Sequence, residues 1–194
     1  MTIEGLITKN RSYRRFHQDV HLEFRQLKNL VELARLSPSA ANLQPLKYII
    51  SCDPKTNALI FSHIAWAGYL ENWPGPAENE RPTGYIIILA DTNISKKVDC
   101  DHGIAAQSIL LGAVEQGLGG CIVCSIKRNE LAQALKIPAQ CNIMLIVALG
   151  QPKEQVVLET TTAGGSIKYW RDEKEIHHVP KRPLDEIIIN ITAT

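Results

Sequence analysis

The segment Arg11-Ser12-Tyr13-Arg14-Arg15-Phe16 places three guanidinium groups within five residues. Some twenty residues later comes Ser37-Pro38-Ser39-Ala40-Ala41-Asn42-Leu43-Gln44-Pro45, a loop of small residues carrying one Asn. Guanidinium groups this close can hold a phosphate bidentately and still leave one cation near a ring that gains negative charge on reduction. Small loop residues let backbone approach a planar ring, and the amide can bond to its polar edge. Together the halves suit a flat, phosphorylated, electron-accepting cofactor. Alone each is weak, since an Arg-rich hexamer is also what a solvated basic turn looks like.

Composition bounds what such a site could serve. The chain has 194 residues, enough for one domain with a sizeable core, and its 45% hydrophobic content is ordinary for a soluble globular protein. Formal net charge is +1 and no long basic run exists, so neither nucleic acid nor a membrane is expected as a partner. Met1 to Leu6 has neither the apolar core nor the cleavage site of a secretory signal, and no apolar run approaches the roughly 20 residues that span a bilayer. A cytoplasmic location is the expectation. Five cysteines, at 52, 100, 121, 124 and 141, are odd in number and scattered, which suits a reducing compartment. Cys121-Ile122-Val123-Cys124 has C-x-x-C spacing, but it lies in a strand-like run where residues three apart point to opposite faces, and no second pair completes a tetrahedral metal set. Buried thiols packing as small hydrophobes account for it better than a dithiol or zinc site. His102, His177 and His178 read as surface residues rather than proton donors or ligands.

The elements that would position these residues read as one α+β domain. Phe24, Leu27, Leu30, Val31 and Ala34 recur at helical spacing, so residues 23–36 should form an amphipathic helix that ends before Pro38 and feeds the Ser/Asn loop. Leu46 to Cys52 reads as a strand stopped by Asp53-Pro54, and Gly84 to Ala90 as a buried central strand. Between them lie a short helix near 55–65 and a loop containing Trp73-Pro74-Gly75-Pro76. Trp66, Tyr69 and Trp73 keep roughly helical spacing and fit either core packing or a lid that stacks on a substrate. Asp101 is the N-cap candidate for a buried helix over 101–116, in which Gly103 and Gly112 would allow close packing at a protein-protein interface. Gly117 offers a left-handed stop; then come a strand from Cys121 to Ser125, a helix capped by Asn129 through Leu135, and a strand from Ile143 to Gly150. Residues 151–194 read as a polar, extended arm ending in an apolar strand, Leu184 to Ile191, which must pair with its own sheet or another's.

The two opening segments resemble the nitroreductase family of flavin mononucleotide (FMN) enzymes, whose members begin with an Arg-Ser-x-Arg-x-Phe run and a Pro-Ser-x-x-Asn-x-Gln-Pro loop. Gly117-Leu118-Gly119-Gly120-Cys121 is similar to that family's glycine segment facing flavin N5, and Pro180-Lys181-Arg182-Pro183-Leu184-Asp185-Glu186-Ile187 to its C-terminal phosphate-contacting element. These separated anchors span nearly the whole chain. The resemblance implies a nitroreductase-like fold with a mostly antiparallel central sheet flanked by helices. It also implies a homodimer in which the C-terminal strand joins the partner's sheet and each FMN lies between two chains.

Carried onto this sequence, the family pattern gives Arg11, Arg182 and Ser12 to the phosphate, with Tyr13 in the same contacting run. Arg14 would lie near the ribityl chain and the N1/C2 edge, where a cation eases reduction. Pro38, Ser39, Ala40 and Asn42 would touch ring and ribityl chain, from the same or the opposite subunit. The backbones of Gly119 and Gly120 would approach N5 and O4 and leave a nicotinamide room to stack. Arg15 is expected to face solvent or pair with an acid. Asn10 stands where many of that family carry another basic residue, so phosphate contacts are expected to be fewer or differently distributed. The activity implied is hydride transfer from NADH or NADPH through flavin N5 to an electron-poor small molecule such as a nitroaromatic or quinone, with no protein nucleophile, acid or base assigned. Reductive dehalogenation, flavin cleavage and ring dehydrogenation are alternatives on the same scaffold, and flavin storage or sensing without nicotinamide turnover is an alternative of another class.

Overall fold

A computed structural model describes residues 1–70 and 72–189. The chain forms two compact units, Met1–Trp66 with Pro74–Lys153, and Ala67–Trp73 with Glu154 onward.

In the first unit, β1 (Leu46–Ser51), β2 (Gly84–Asp91), β3 (Gly119–Val123) and β4 (Cys141–Gly150) form an antiparallel sheet in the order β1-β2-β4-β3. The run Tyr85 to Ala90 lacks polar alternation, and β2 is accordingly buried on both faces. The helices are α1 (Ile3–Lys9), α2 (Phe24–Leu36), α3 (Pro54–Phe61), α4 (Asp101–Glu115) and α5 (Arg128–Ala134). Among the described residues no helix is long and apolar enough to cross a membrane.

The main core lies between the sheet and the α2–α4 pair. Leu27, Leu30 and Ala34 of α2 meet Ala106, Ile109 and Ala113 of α4 over Ile86 and Ile88 of β2 and Val147 and Leu149 of β4. Each fully buried Leu, Ile or Val side chain there contributes about 1.5–3 kcal/mol relative to exposure. The close packing expected at Gly112 occurs within the chain: a β-carbon there would stand within bonding-like distance of Leu33 Cδ1, so the glycine lets α2 cross α4. Gly103 has open space instead. Two helix starts differ from expectation. Asp101 is the first residue inside α4, following Cys100, because its carboxylate serves another segment, and α5 begins at Arg128 with Asn129 inside it. Gly117 adopts φ +75°, the left-handed stop expected after α4. Cys121 is buried and Cys124 exposed, and the two are not joined in a disulfide.

The second unit is a small sheet rather than a polar, extended arm. β5 (Val156–Thr160), β6 (Trp170–Arg171) and β7 (His177–Lys181) lie in the order β5-β7-β6, with β5 and β7 parallel. His177 is a core residue here, 1% exposed and 5.2 Å from the Tyr169 ring, so the surface reading of that histidine is corrected. Tyr69 packs on Tyr169 at 5.0 Å, and Arg171 lies 4.4 Å over Trp73. Trp66, in the first unit, is buried beside Phe61 and against Gly75. Trp66 is therefore a core residue, whereas Tyr69 stays half exposed. Leu184–Ile187 forms a short helix, α6, where an apolar strand was expected, because Pro183 sets an extended entry and Asp185 and Glu186 favour a helix's first turn. Residues 190 and 191, the end of that expected strand, lie outside the described residues.

Candidate functional site

The basic run is held between α1 and the edge of the sheet. Asn10 ends α1 and its amide donates to Gln107 Oε1 of α4 at 3.3 Å. The chain then joins the free side of β3: Ser12 bridges Gly120 in parallel, and the Tyr13 N–H donates to the Gly120 carbonyl at 3.0 Å. The Tyr13 hydroxyl reaches back to the Lys9 carbonyl at 3.0 Å. Arg11, Ser12, Tyr13 and Arg14 are thereby brought to Gly119 and Gly120. A β-carbon on Gly120 would lie 2.7 Å from the Ala148 carbonyl oxygen, so the glycine pair fits the chain's own packing as well as any ligand.

Charge in this run divides into two parts. Arg15 chelates Glu80 with contacts of 2.8 and 2.9 Å, and Lys153 joins the same carboxylate at 2.9 Å. Hydrogen bonding to Arg15 is the main cause that holds the Glu80 carboxyl down at about 2. Phe16, fully buried, donates its N–H to the Glu80 carbonyl at 2.9 Å. Arg15 is thus structural, paired with an acid as expected. Arg11 differs: Nη2 donates to the Ile7 carbonyl at 2.7 Å, while Nε is buried without a partner among the described residues. Burial pulls this guanidinium below its ordinary pKa, partly opposed by Tyr13. A desolvated cation with a donor in hand is stabilised by an anion. Arg14 is 8% exposed and donates from Nη1 to the Ser12 carbonyl at 3.2 Å. Ser12 itself is exposed.

The Pro38–Asn42 loop is anchored at the other end of α4. Ser39 Oγ donates to Asp101 Oδ2 at 2.6 Å, the Ala40 N–H donates to Oδ1 at 2.9 Å, and Ser39 Oγ also accepts the Gln44 N–H at 2.9 Å. Ala41, Asn42 and Gln44 have φ values of 49°, 55° and 52°. Three non-glycine residues in the left-handed region store strain that the buried Asp101 carboxylate helps to hold, and such strain gathers at ligand clamps. Asn42 is exposed, and Ser37, Pro38, Ser39, Gln44, Tyr48 and Asp101 line a cavity beside it. The Tyr48 phenol is pushed up to about 12 by burial first and by the Asp101 charge second.

Asp101 opens α4 and Gly119 follows its end, so the loop and the glycine strand are separated by a 15-residue helix of about 22 Å. Arg182 belongs to the second unit and pairs with Glu186. Sequence reasoning missed the roles of Asp101, Glu80 and Lys153. Each acts on a partner at least 61 residues away, and no local pattern marks such a pairing.

Comparison with known proteins bears on the family and the fold. A family profile described as the Nitroreductase family matches residues 7–151. A curated protein from Archaeoglobus fulgidus, provisionally named an NADH dehydrogenase/NAD(P)H nitroreductase, is 26% identical over 151 residues, covering 73% of this chain and 80% of that protein. A nitroreductase family protein from Clostridium novyi NT superposes with a TM-score of 0.65 at 26% identity, over 79% of this chain and 88% of the other. A protein from Desulfovibrio desulfuricans, provisionally named a nitroreductase and solved in complex with FMN, superposes with a TM-score of 0.73 at 20% identity, over 100% of this chain and 99% of the other. With most of its length matched by the profile and its α+β fold shared, the chain belongs to the nitroreductase family.

Proposed function

We propose that this protein is an FMN-dependent oxidoreductase that passes hydride from NADH or NADPH through flavin N5 to an electron-poor acceptor such as a nitroaromatic or quinone. One observation carries the reading: Arg11 has a buried guanidinium donor with no acceptor among the described residues, in a run docked on the Gly119–Gly120 strand. The residues present fit the cofactor. Arg11 and Ser12 would hold its phosphate, and Arg14 would bring a buried positive group toward the flavin's electron-accepting edge. The Tyr13–Gly120 backbone pairing, which anchors the main chain of this run before any ligand arrives, supports the reading. Binding, orientation and electrostatic tuning are the protein's contributions, and no side chain is required as nucleophile.

Two chains sharing each flavin is part of the proposal. The length of α4 supports it, because one chain's 38–42 loop and its own glycine strand sit at opposite ends of that helix. A second copy can bring the loop to the site. Met1, Ile3 and Ile7 of the α1 region and Phe24 and Leu36 of α2 are exposed apolar residues that an interface between copies would cover. A reducing compartment such as the cytoplasm fits the five free cysteines.

The test is anaerobic mixing of the yellow protein with NADH or NADPH, followed by a nitroaromatic or quinone. Loss of oxidised-flavin absorbance with either nucleotide, and its return on adding the acceptor, is the expected result. Colour that persists with both nucleotides would instead mean a protein that holds flavin without turning it over.

A further inference from the structure

Alternation along β2 sends Ile86 and Ile88 into the α2–α4 core, so Tyr85 points to the opposite face of the sheet. There it lines a cavity with Gln18, Asn57, Phe61, Arg81 and Thr83. Tyr85 is 1% exposed and Thr83 6%, and both hydroxyls are buried without a hydrogen-bond partner among the described residues. Arg81 Nε is buried and unpartnered in the same way, and the guanidinium lies 4.4 Å over the Phe61 ring, which covers one of its faces. No Asp or Glu lines the cavity among the described residues.

The wall is built to keep these groups in place. Asn57 accepts from Ser51 Oγ at 2.7 Å and donates to the Thr83 carbonyl at 2.9 Å, which fixes the backbone carrying Thr83. Gln18 accepts the Arg81 N–H at 3.0 Å. Burial raises the Tyr85 hydroxyl above its ordinary pKa and the nearby Arg81 charge only partly opposes this, so it remains a proton donor. Folded proteins leave few buried polar atoms unpaired, and here three potential donors line one cavity. The ligand they select is an acceptor with at least two oxygens and negative charge, and a carboxylate satisfies a guanidinium and two hydroxyls together. Phe61, Pro54, Ala58 and Pro82 supply apolar walls for the rest of the molecule.

We propose that this cavity binds a small organic carboxylate with an apolar body, its oxygens held by Arg81, Thr83 and Tyr85 and its body against Phe61. Calorimetric titration of the purified full-length protein with benzoate, phenylacetate and hexanoate tests this. At least one is expected to bind saturably, benzyl alcohol is not, and inorganic phosphate is expected to bind more weakly for lack of an apolar body. Arg81→Met keeps an unbranched stem over Phe61 and is expected to weaken the carboxylate about 10-fold or more; Tyr85→Phe and Thr83→Val should each weaken it by about 3-fold or more. Without ligand, Tyr85→Phe should melt at or above the wild-type temperature, because the hydroxyl it removes has no partner among the described residues. Any of four results overturns the proposal: no saturable binding of all three carboxylates, equal affinity in Arg81→Met, benzyl alcohol binding as well as benzoate, or a lowered melting temperature in Tyr85→Phe.

Discussion

A β-carbon on Gly119 would stand 2.5 Å from Cδ2 of Tyr13 and 2.7 Å from Cγ of Pro152. The glycine is thus what allows the basic run to lie flat on β3. Gly119→Ala is expected to destabilise the protein by about 1–3 kcal/mol through overpacking, and to lower its FMN content by displacing Tyr13 and its neighbours. Gly103→Ala, helical and with open space around it, is the control and should be neutral or slightly stabilising. Thermal denaturation and flavin absorbance of the two variants check both statements.

Asp101 secures the strained loop through a charge-assisted pair of hydrogen bonds. Asp101→Asn should cost about 1–2 kcal/mol and expose residues 38–45 to limited proteolysis, since the Ala40 N–H or the Ser39 hydroxyl then meets a weaker acceptor. The same variant should lower the Tyr48 pKa while leaving it elevated, because burial is the larger cause and the Asp101 charge the smaller. A difference titration of tyrosinate absorbance against wild type reads this directly.

Glu80 links Arg15 and Lys153 and has a folded-state pKa of about 2, well below its ordinary carboxyl value. A depressed acid contributes stability that is present above the unfolded-state pKa and is lost as pH falls toward the folded one. The wild type should therefore lose stability between about pH 4.5 and pH 2. Glu80→Gln should flatten that slope and cost about 1–2 kcal/mol at neutral pH, a figure reduced for partial solvent screening. Urea melts across this range check it.

His178 donates toward Glu159 at 2.5 Å and lies 3.3 Å from Asp172, contacts that raise its pKa, hydrogen bonding to Glu159 first. A raised histidine contributes stability that is complete below its unfolded pKa and disappears as pH rises through the folded value. The β5–β7 sheet should consequently exchange amide hydrogen more readily, after correction for intrinsic rates, as pH is raised from about 6 to 8. In His178→Gln that pH dependence should vanish. An unchanged profile in the variant would place the effect elsewhere.

Local signals made the first unit legible. The 3.6-residue period of Leu27, Leu30 and Ala34, the Asp53-Pro54 stop and the unbroken apolar run of β2 each became the element they implied. Long-range pairing was not legible. Asp101 looks like an N-cap in its own helix, and only the folded chain shows its carboxylate turned to Ser39. β3 begins at Gly119, two residues before the apolar run, because pairing with Gly150 and Leu149 continues through residues with poor strand propensity. The second unit's strands are two to five residues long and carry histidine, lysine and proline, so no period announces them. Leu184 to Ile187 shows the opposite failure: apolar composition suggested a strand, and Pro183 with two acidic residues produced a helical turn.

We propose that Arg11 holds the phosphate of an FMN laid against the Gly119–Gly120 strand. Titration of apoprotein with FMN, in wild type and in Arg11→Ala, decides this. The wild type is expected to bind FMN and turn yellow, and the variant, with unchanged circular dichroism, to bind about 30-fold more weakly, corresponding to about 2 kcal/mol for a lost charge-assisted contact. Equal FMN affinity in the two proteins, or a folded wild type that takes up no flavin, would contradict it.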